Sequence, residues 1–337
     1  MPGLTVAVTG PTGEVGGSLI DALEASKKVG AVRGMARSAF DPLGAGWAKA
    51  TYQRGDILDR GHLAELFAGA DVAVHLAFAI FGDREETRRI NLEGSRNVFE
   101  AAIEAGVGSL VYASSVAAYG FHPDNPQPLS EGVPARGSDG FYYSEQKAEL
   151  EAALADSLEG SDIAAYVFRP CVVAGPQATM LVDRVVGTAR LGDPVPKLRR
   201  WAGRVPGVKP VLPDPGTPFQ LVHHDDVATA LAAAIEGTGE SGAYNLAGEG
   251  TITLGDVARA IGWRSVRVPG PLASIGGRSA RRLAFFSPQL EWAIAYDRPV
   301  LMDATKARVE LGWEPQFDAE ETLIQTAVGA REAGVLD

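Results

Sequence analysis

Cysteine is nearly missing from this chain: Cys171 is the single one among 337 residues. One thiol closes no intramolecular disulfide and builds no multi-thiolate metal site, and the scarcity suits a reducing, cytoplasmic setting. Positive charge is also scarce. The 31 Lys and Arg face 42 Asp and Glu, for a formal net charge of −11 and a pI near 5.0. Phosphate-backbone binders draw most of their affinity from clustered Lys and Arg, so nucleic acid is not an expected partner. No apolar run reaches the roughly 18 residues that a membrane span needs. The opening MPGLTVAVTG lacks a basic n-region and a small-residue cleavage site, so neither membrane insertion nor export is expected.

What is present is a chain with 46% hydrophobic and 22% charged residues, enough to bury a large core and unlike disordered or fibrous sequences. Strand-like runs at 4–10, 30–37, 50–56, 71–79, 109–115 and 162–170 alternate with helical patterns at 13–26, 59–70, 85–106 and 142–158. Parallel neighbours need a crossover of about a dozen residues or more, so this rhythm predicts an α/β fold with a doubly wound parallel (Rossmann) sheet. After Gly175 the rhythm breaks into Pro- and Gly-rich pieces, notably 192–218, which cannot be regular core strands or long helices. Strand and helix return at 217–237, with an Asp placed to cap the helix. The expected organisation is a dinucleotide-binding domain at 1–175 plus about 217–247. A smaller, interleaved substrate-binding region would take about 176–216 and 248–337.

The stretch VTGPTGEVGG places Gly10, Gly13 and Gly16 between a predicted strand and a predicted helix. A pyrophosphate needs such a loop: a tight turn, close backbone approach and a helix N-terminus with free N–H groups. Thr12, Glu14 and Val15 are cofactor-contact candidates with the three glycines. NAD-binding folds usually carry an acid about twenty residues on, for the ribose hydroxyls. Nothing acidic lies between Glu24 and Asp41, and the second strand ends in Met35-Ala36-Arg37-Ser38. A guanidinium there binds a 2′-phosphate that a carboxylate would repel, so Arg37 is the candidate reader of NADP, with NAD the alternative. The competing reading makes Arg37 an ordinary solvated strand-end charge.

Tyr143 precedes Lys147 by four residues, one turn of a helix, so both share a face. An ammonium there lowers the phenol's pKa and lets it act as acid or base near neutral pH. Ser114 and Ser115 close the fifth predicted strand, where ligands gather in open α/β sheets. A hydroxyl there reaches both phenol and substrate oxygen, or merely caps the strand end.

With these residues in view the chain resembles the extended short-chain dehydrogenase/reductase superfamily, the NAD(P)-dependent epimerase/dehydratase group. The likeness runs through VTGPTGEVG, RGDILD, VHLA, Asn91 to Asn97, YASSVAAYG, Tyr143-x-x-x-Lys147, FRPCVVAGP, LVHHDDVA, AYNLAG and LGWEP. It implies that Tyr143 is the general acid/base, that Lys147 binds the nicotinamide ribose and tunes it, and that Ser115 rather than Ser114 polarises the substrate oxygen. Asn91 matches an asparagine associated with this set, as a catalytic residue or a helix support. Asp56 and Ile57 match adenine contacts; Leu76, Ala77 and Phe78 line the cofactor's path; Pro170 to Val172 match the turn beside the nicotinamide. A homodimer through helices of the first domain is compatible with the resemblance.

Sugar-nucleotide epimerases of this group usually carry an arginine just before H-x-x-D-x-A, and often Asn-Pro after the sixth strand. This chain has Phe219-Gln220 and Arg169-Pro170. The expectation is an NADP(H)-dependent oxidoreductase acting on a carbonyl or alcohol of a small molecule. The alternatives are an epimerase or dehydratase that recycles its cofactor, and an idle nucleotide sensor. His223-His224-Asp225-Asp226 could hint at a metal, but consecutive strand residues point to opposite faces, so no metal is expected and the run reads as a core histidine plus a helix cap. The basic stretch from Lys197 to Arg204, and Arg278, Arg281 and Arg282, read as solvated charge or as an anion contact in the substrate half.

Overall fold

The β-branched runs pair in parallel, each returned to the sheet by a helix. The computed structural model describes residues 3–80, 83–179, 182, 210–268 and 299–336. The first half comprises β1 (Leu4–Thr9), α1 (Glu14–Ala25), β2 (Val29–Ala36), β3 (Ala50–Arg54), α2 (Arg60–Phe67) and β4 (Val72–His75). It continues with α3 (Arg84–Arg88), α4 (Gly94–Glu104), β5 (Ser109–Ala113), α5 (Tyr142–Ser157) and β6 (Ala164–Pro170). Then follow β7 (Val172–Ala174), β8 (Val211–Asp214), β9 (Leu221–His223), α6 (His224–Ile235) and β10 (Gly242–Leu246). The C-terminal part holds α7 (Leu254–Ala260), β11 (Arg264–Arg267), α8 (Thr305–Leu311) and α9 (Ala319–Glu332).

The central sheet has seven strands in the order β10-β6-β5-β4-β1-β2-β3, all parallel. Both faces are buried, as a parallel sheet requires. Val6 and Val8 pack with Leu19, Ile20 and Leu23 of α1 and Leu231 of α6, whereas Ala7 faces Phe67, Val98, Phe99 and Leu154. The chain runs from β1 to β2 and β3 on one side and then crosses to β4 on the other. Strand order therefore reverses between β1 and β4, and their carboxyl ends open the crevice where this architecture binds ligands. Smaller parallel pairs, β7 with β9 and β8 with β11, lie beside it.

Two local expectations change. The helix read across 85–106 is interrupted by a π-helical turn, Arg89–Glu93, between α3 and α4. The turn carries Asn91, whose amide takes both the N–H (2.8 Å) and the C=O (2.9 Å) of Ala79. That clamp explains why β4 ends at His75 rather than running to 79, since Ala79 finds its backbone partners outside the ladder. The Pro-rich stretch contributes no strand to the central sheet among its described residues, in keeping with its reading: β8 pairs only with β11 and places Pro213 opposite Val266, in a two-stranded edge pair where a missing N–H is tolerated. Finally, α6 is capped by His223, whose ring accepts from Asp225 N–H at 3.2 Å, instead of by an Asp. Asp226 is buried and accepts from Gln316 and Phe317 N–H at 2.7 and 3.2 Å, while its carbonyl takes the Trp313 indole N–H at 2.8 Å. Among the described residues no helix is long and apolar enough to cross a membrane.

Candidate active site

The three glycines at the mouth of β1 answer to different demands. Gly10 has φ +78°, and a Cβ there would lie 2.8 Å from Ala77 N, where the loop after β4 crosses. A Cβ on Gly16 would lie 2.2 Å from the Gly10 carbonyl oxygen. Chain packing alone forbids a side chain at both. Gly13 differs: its φ is −79° and the nearest atom to a Cβ is 3.6 Å away. Nothing in the protein requires glycine there. Gly13 is also the N-cap of α1 and offers no side chain to the helix's free N–H groups, which leaves an anion cradle at a positive dipole end. A dinucleotide pyrophosphate fits it. Thr12 is exposed, Val15 packs against the core, and Glu14 is half-buried, which pushes its carboxyl above the usual range.

Around the crevice, Arg37 is exposed just past β2. Its carbonyl accepts from Arg54 Nε at 2.9 Å, and the Tyr52 hydroxyl donates to the carbonyls of Ala36 (2.9 Å) and Ser38, so the β2 exit is tied to β3 from below. Arg54 is a second guanidinium beside Arg37 that the sequence reading did not single out; its register opposite Ala36 is what brings it there. Asp56 accepts from Leu58 N–H at 3.0 Å, and Ile57 turns inward against Gly94. Leu76, Ala77 and Phe78 follow β4, with Leu76 N–H donating to the Thr9 carbonyl at 3.0 Å. Pro170 and Val172 flank Cys171, which is buried; its N–H donates to Leu246 C=O at 2.9 Å and burial pushes its thiol far up, leaving it inert.

At the carboxyl end of β5, Tyr143, Ser115 and Lys147 come together. Burial raises the Tyr143 phenol above its ordinary pKa, and a hydrogen bond with Ser115 acts in the opposite direction. Lys147 is 3% exposed; its Nζ donates to the Ala113 carbonyl at 2.8 Å and lies 4.1, 5.3 and 5.9 Å from the ring centroids of Phe78, Tyr112 and Tyr143. Phe78 in turn meets Tyr143 edge-on, centroids 5.5 Å apart. Burial in this aromatic cage brings the Lys147 ammonium down to about 7, against which Glu151 acts upward. The phenol stands above its ordinary value rather than below it, because burial outweighs what lowers it. The ammonium is aimed at a carbonyl and a ring face, and Ser115 is the group that favours the phenolate.

The adjacent hydroxyls separate cleanly. Ser114 Oγ donates to Glu151 Oε1 at 2.5 Å, inside a buried network in which Arg169 donates to the same carboxylate at 2.5 Å (Nη2 to Oε2) and 3.0 Å (Nε to Oε1). The Arg169 guanidinium covers the Tyr119 ring at 4.5 Å, and the Tyr119 hydroxyl donates to Asn245 Oδ1 at 2.6 Å. Asn91, holding Ala79, also donates to Gln146 Oε1 at 2.7 Å. It joins the β4 exit loop to α5 and is placed as a support for the helix carrying Tyr143. Glu151 was missed from the sequence, although its position four residues after Lys147 puts it on the same helix face.

His75 lies under this site, with Nδ1 2.7 Å from Thr9 Oγ1 and Nε2 2.8 Å from Ser95 Oγ; burial, with the Lys147 charge, lowers it to about 3. The His223 and His224 rings, expected to diverge, stand 4.3 Å apart because the strand ends and the helix begins between them. His223 caps α6 as described, and His224 Nδ1 meets Ser18 Oγ of α1 at 2.8 Å and Asp225 Oδ1 at 2.9 Å. These bonds give the pair a structural occupation. Lys197 to Arg204 and Arg278, Arg281 and Arg282 lie outside the described residues.

A fold with a dinucleotide crevice at the β1/β4 reversal and a Ser-Tyr-Lys set at the end of β5 defines an NAD(P)-binding enzyme of the extended short-chain dehydrogenase/reductase type. The family model for the NAD dependent epimerase/dehydratase family matches residues 6–247, and the chain belongs to that family. It is 26% identical over 297 residues to the uncharacterized protein y4nG of Sinorhizobium fredii, covering 85% of this chain and 70% of that one. It is 28% identical over 335 residues to the uncharacterized protein Rv2047c of Mycobacterium tuberculosis; that match covers 97% of this chain but only 30% of that protein. To the 2-alkyl-3-oxoalkanoate reductase of Shewanella oneidensis it is 30% identical over 193 residues, 55% of this chain and 49% of that one. Among solved structures, that of gox2253 superposes with a TM-score of 0.73 at 26% identity, over 99% of both chains.

Proposed function

We propose that this protein is an NADP(H)-dependent oxidoreductase that reduces a carbonyl, or oxidises an alcohol, of a small molecule. The observation that carries the reading is the half-buried Tyr143 phenol hydrogen-bonded to Ser115, one helical turn from Lys147. The Gly10–Gly16 loop and the N-terminus of α1 would hold the dinucleotide, which would supply the hydride. Tyr143, with its pKa raised by burial, keeps its proton and can give it to a substrate oxygen, while Ser115 donates to that same oxygen. Lys147 holds a positive charge beneath them.

Two features favour net redox chemistry over epimerisation of a sugar nucleotide. Gln220, in the segment where those epimerases carry arginine, is an uncharged amide that accepts from Met302 N–H at 2.7 Å and donates to Met302 C=O at 3.2 Å, which commits its oxygen and one of its N–H groups to the backbone. Arg169, in place of the epimerases' asparagine, is engaged by Glu151. Arg37 and Arg54 support a 2′-phosphate on the cofactor, and the relatives include a protein named as a reductase.

The test is NADPH oxidation against a carbonyl panel. Tyr143→Phe is expected to lose about 10²- to 10⁴-fold in kcat, the usual worth of a positioned proton donor. Full activity in that variant, or tightly retained nucleotide with no net turnover in the wild type, would refute the reading. Arg37→Ala is expected to erode the preference for NADPH over NADH by about tenfold, the equivalent of one charge-assisted hydrogen bond.

A further inference from the structure

Lys147 is a cation in a poor place for one. Its surroundings are the rings of Phe78, Tyr112 and Tyr143 and a single carbonyl. The ionisable groups facing it are Tyr143 and Glu151 on its own helix, Tyr112 on β5 and His75 on β4, with Arg169 of β6 behind Glu151. His75 is neutral and Tyr112 is a buried phenol held far above its ordinary range. One anion therefore remains to balance the ammonium. Glu151, its side chain 10% exposed, is gripped by Arg169, itself 8% exposed, and takes a third hydrogen bond from Ser114. Three charge-assisted bonds fix this carboxylate in place, so it cannot swing out to water.

We infer that Glu151, locked by Arg169 and Ser114, is a positioning residue whose fixed charge keeps Lys147 in its ammonium form and so sets the upper pH limit of the Tyr143 chemistry. The cause is Coulombic. Removing a negative charge about one helical turn away, in a dry site, makes the ammonium markedly harder to keep. The catalytic half of the inference rests on the function proposed above; the charge relationship does not.

Lys147 is one of seven lysines, few enough for its Nζ to be titrated in the full-length protein by selective isotope labelling and NMR. Glu151→Gln removes the carboxylate but leaves Arg169 buried and uncompensated, which endangers the fold. The double variant Glu151→Gln, Arg169→Gln removes both charges and keeps amides capable of hydrogen bonding. In folded Glu151→Gln the Lys147 midpoint is expected to fall by about one pH unit, a tenfold loss of proton affinity, and in the double variant, which also removes the opposing Arg169 charge, by less. The basic limb of kcat/KM for carbonyl reduction should move down with it, while kcat below that limb stays near wild type. An unchanged Lys147 midpoint in a folded variant overturns the inference. A shifted midpoint with an unmoved kinetic limb overturns its catalytic half. Absence of NADPH-dependent turnover in the wild type, with the midpoint still shifted, instead refutes the proposed function and leaves the charge relationship standing.

Discussion

Ser114 and Ser115 are neighbours in the chain with separate allegiances: the first donates to the Glu151 carboxylate, and the second is hydrogen-bonded to the Tyr143 phenol. Their alternation at the end of β5 directs one hydroxyl into the protein and the other toward the crevice. Ser115→Ala should lower kcat about 10²-fold, as loss of one donor to a developing oxyanion does, and cost about 1 kcal/mol of stability through the lost cap on Ala117 N–H. Ser114→Ala should instead leave kcat near wild type and cost about 2 kcal/mol of stability through the lost bond to a buried charge. Urea unfolding and steady-state kinetics on the two variants separate the roles; a large kcat loss for Ser114→Ala would contradict them.

The glycine loop offers a sharper contrast. Gly10→Ala forces a Cβ into a left-handed conformation, about 1–2 kcal/mol before any clash with Ala77. Gly16→Ala collides with the Gly10 carbonyl. Both should lower the melting temperature. Gly13→Ala makes only an ordinary van der Waals contact and should melt like wild type, yet weaken dinucleotide binding by about tenfold or more as its methyl group fills the cradle. Calorimetric titration with NADPH checks this. Unaltered affinity would show that the pyrophosphate lies elsewhere.

Lys147 predicts a pH dependence of stability as well as of rate. Its folded-state value of about 7 lies below the unfolded 10.5, so between these limits the unfolded chain binds the extra proton. Stability contributed at this site therefore rises with pH across that window, by up to about 1.4 kcal/mol per pH unit. Lys147→Met lacks this slope, so the stability difference between wild type and variant should carry it, measured by denaturant unfolding from pH 7 to 9. Reduction should follow the opposite trend and decline above about pH 7 as the ammonium is lost. Added dinucleotide, being anionic, should move that decline upward.

Much of this was legible in the sequence because it depends on spacing. Alternating strand and helix lengths specify parallel pairing, and the glycine spacing and the four-residue step from Tyr143 to Lys147 survive folding unchanged, since each lies within one turn or one helix. What escaped depends on contacts between distant segments. Asn91's clamp on Ala79 needs a π turn that no residue pattern announces. The Glu151–Arg169 pair joins α5 to β6, and Gln220 meets Met302 across 82 residues. The two histidines at 223 and 224 were expected to diverge by strand geometry, but they converge because the backbone changes from strand to helix between them. In the same way the burial that raises the phenol depends on the packing around it and not on its spacing to Lys147.

The silenced imidazole under the site carries a broader consequence. His75, pinned between Thr9 and Ser95, holds one ring proton and exchanges none across the physiological range. A kinetic inflection close to neutrality is by habit ascribed to histidine, and this protein has only five of them. The one beneath the catalytic floor is proton-inert. At this site an amine, that of Lys147, is brought by burial to about 7, where imidazoles usually titrate.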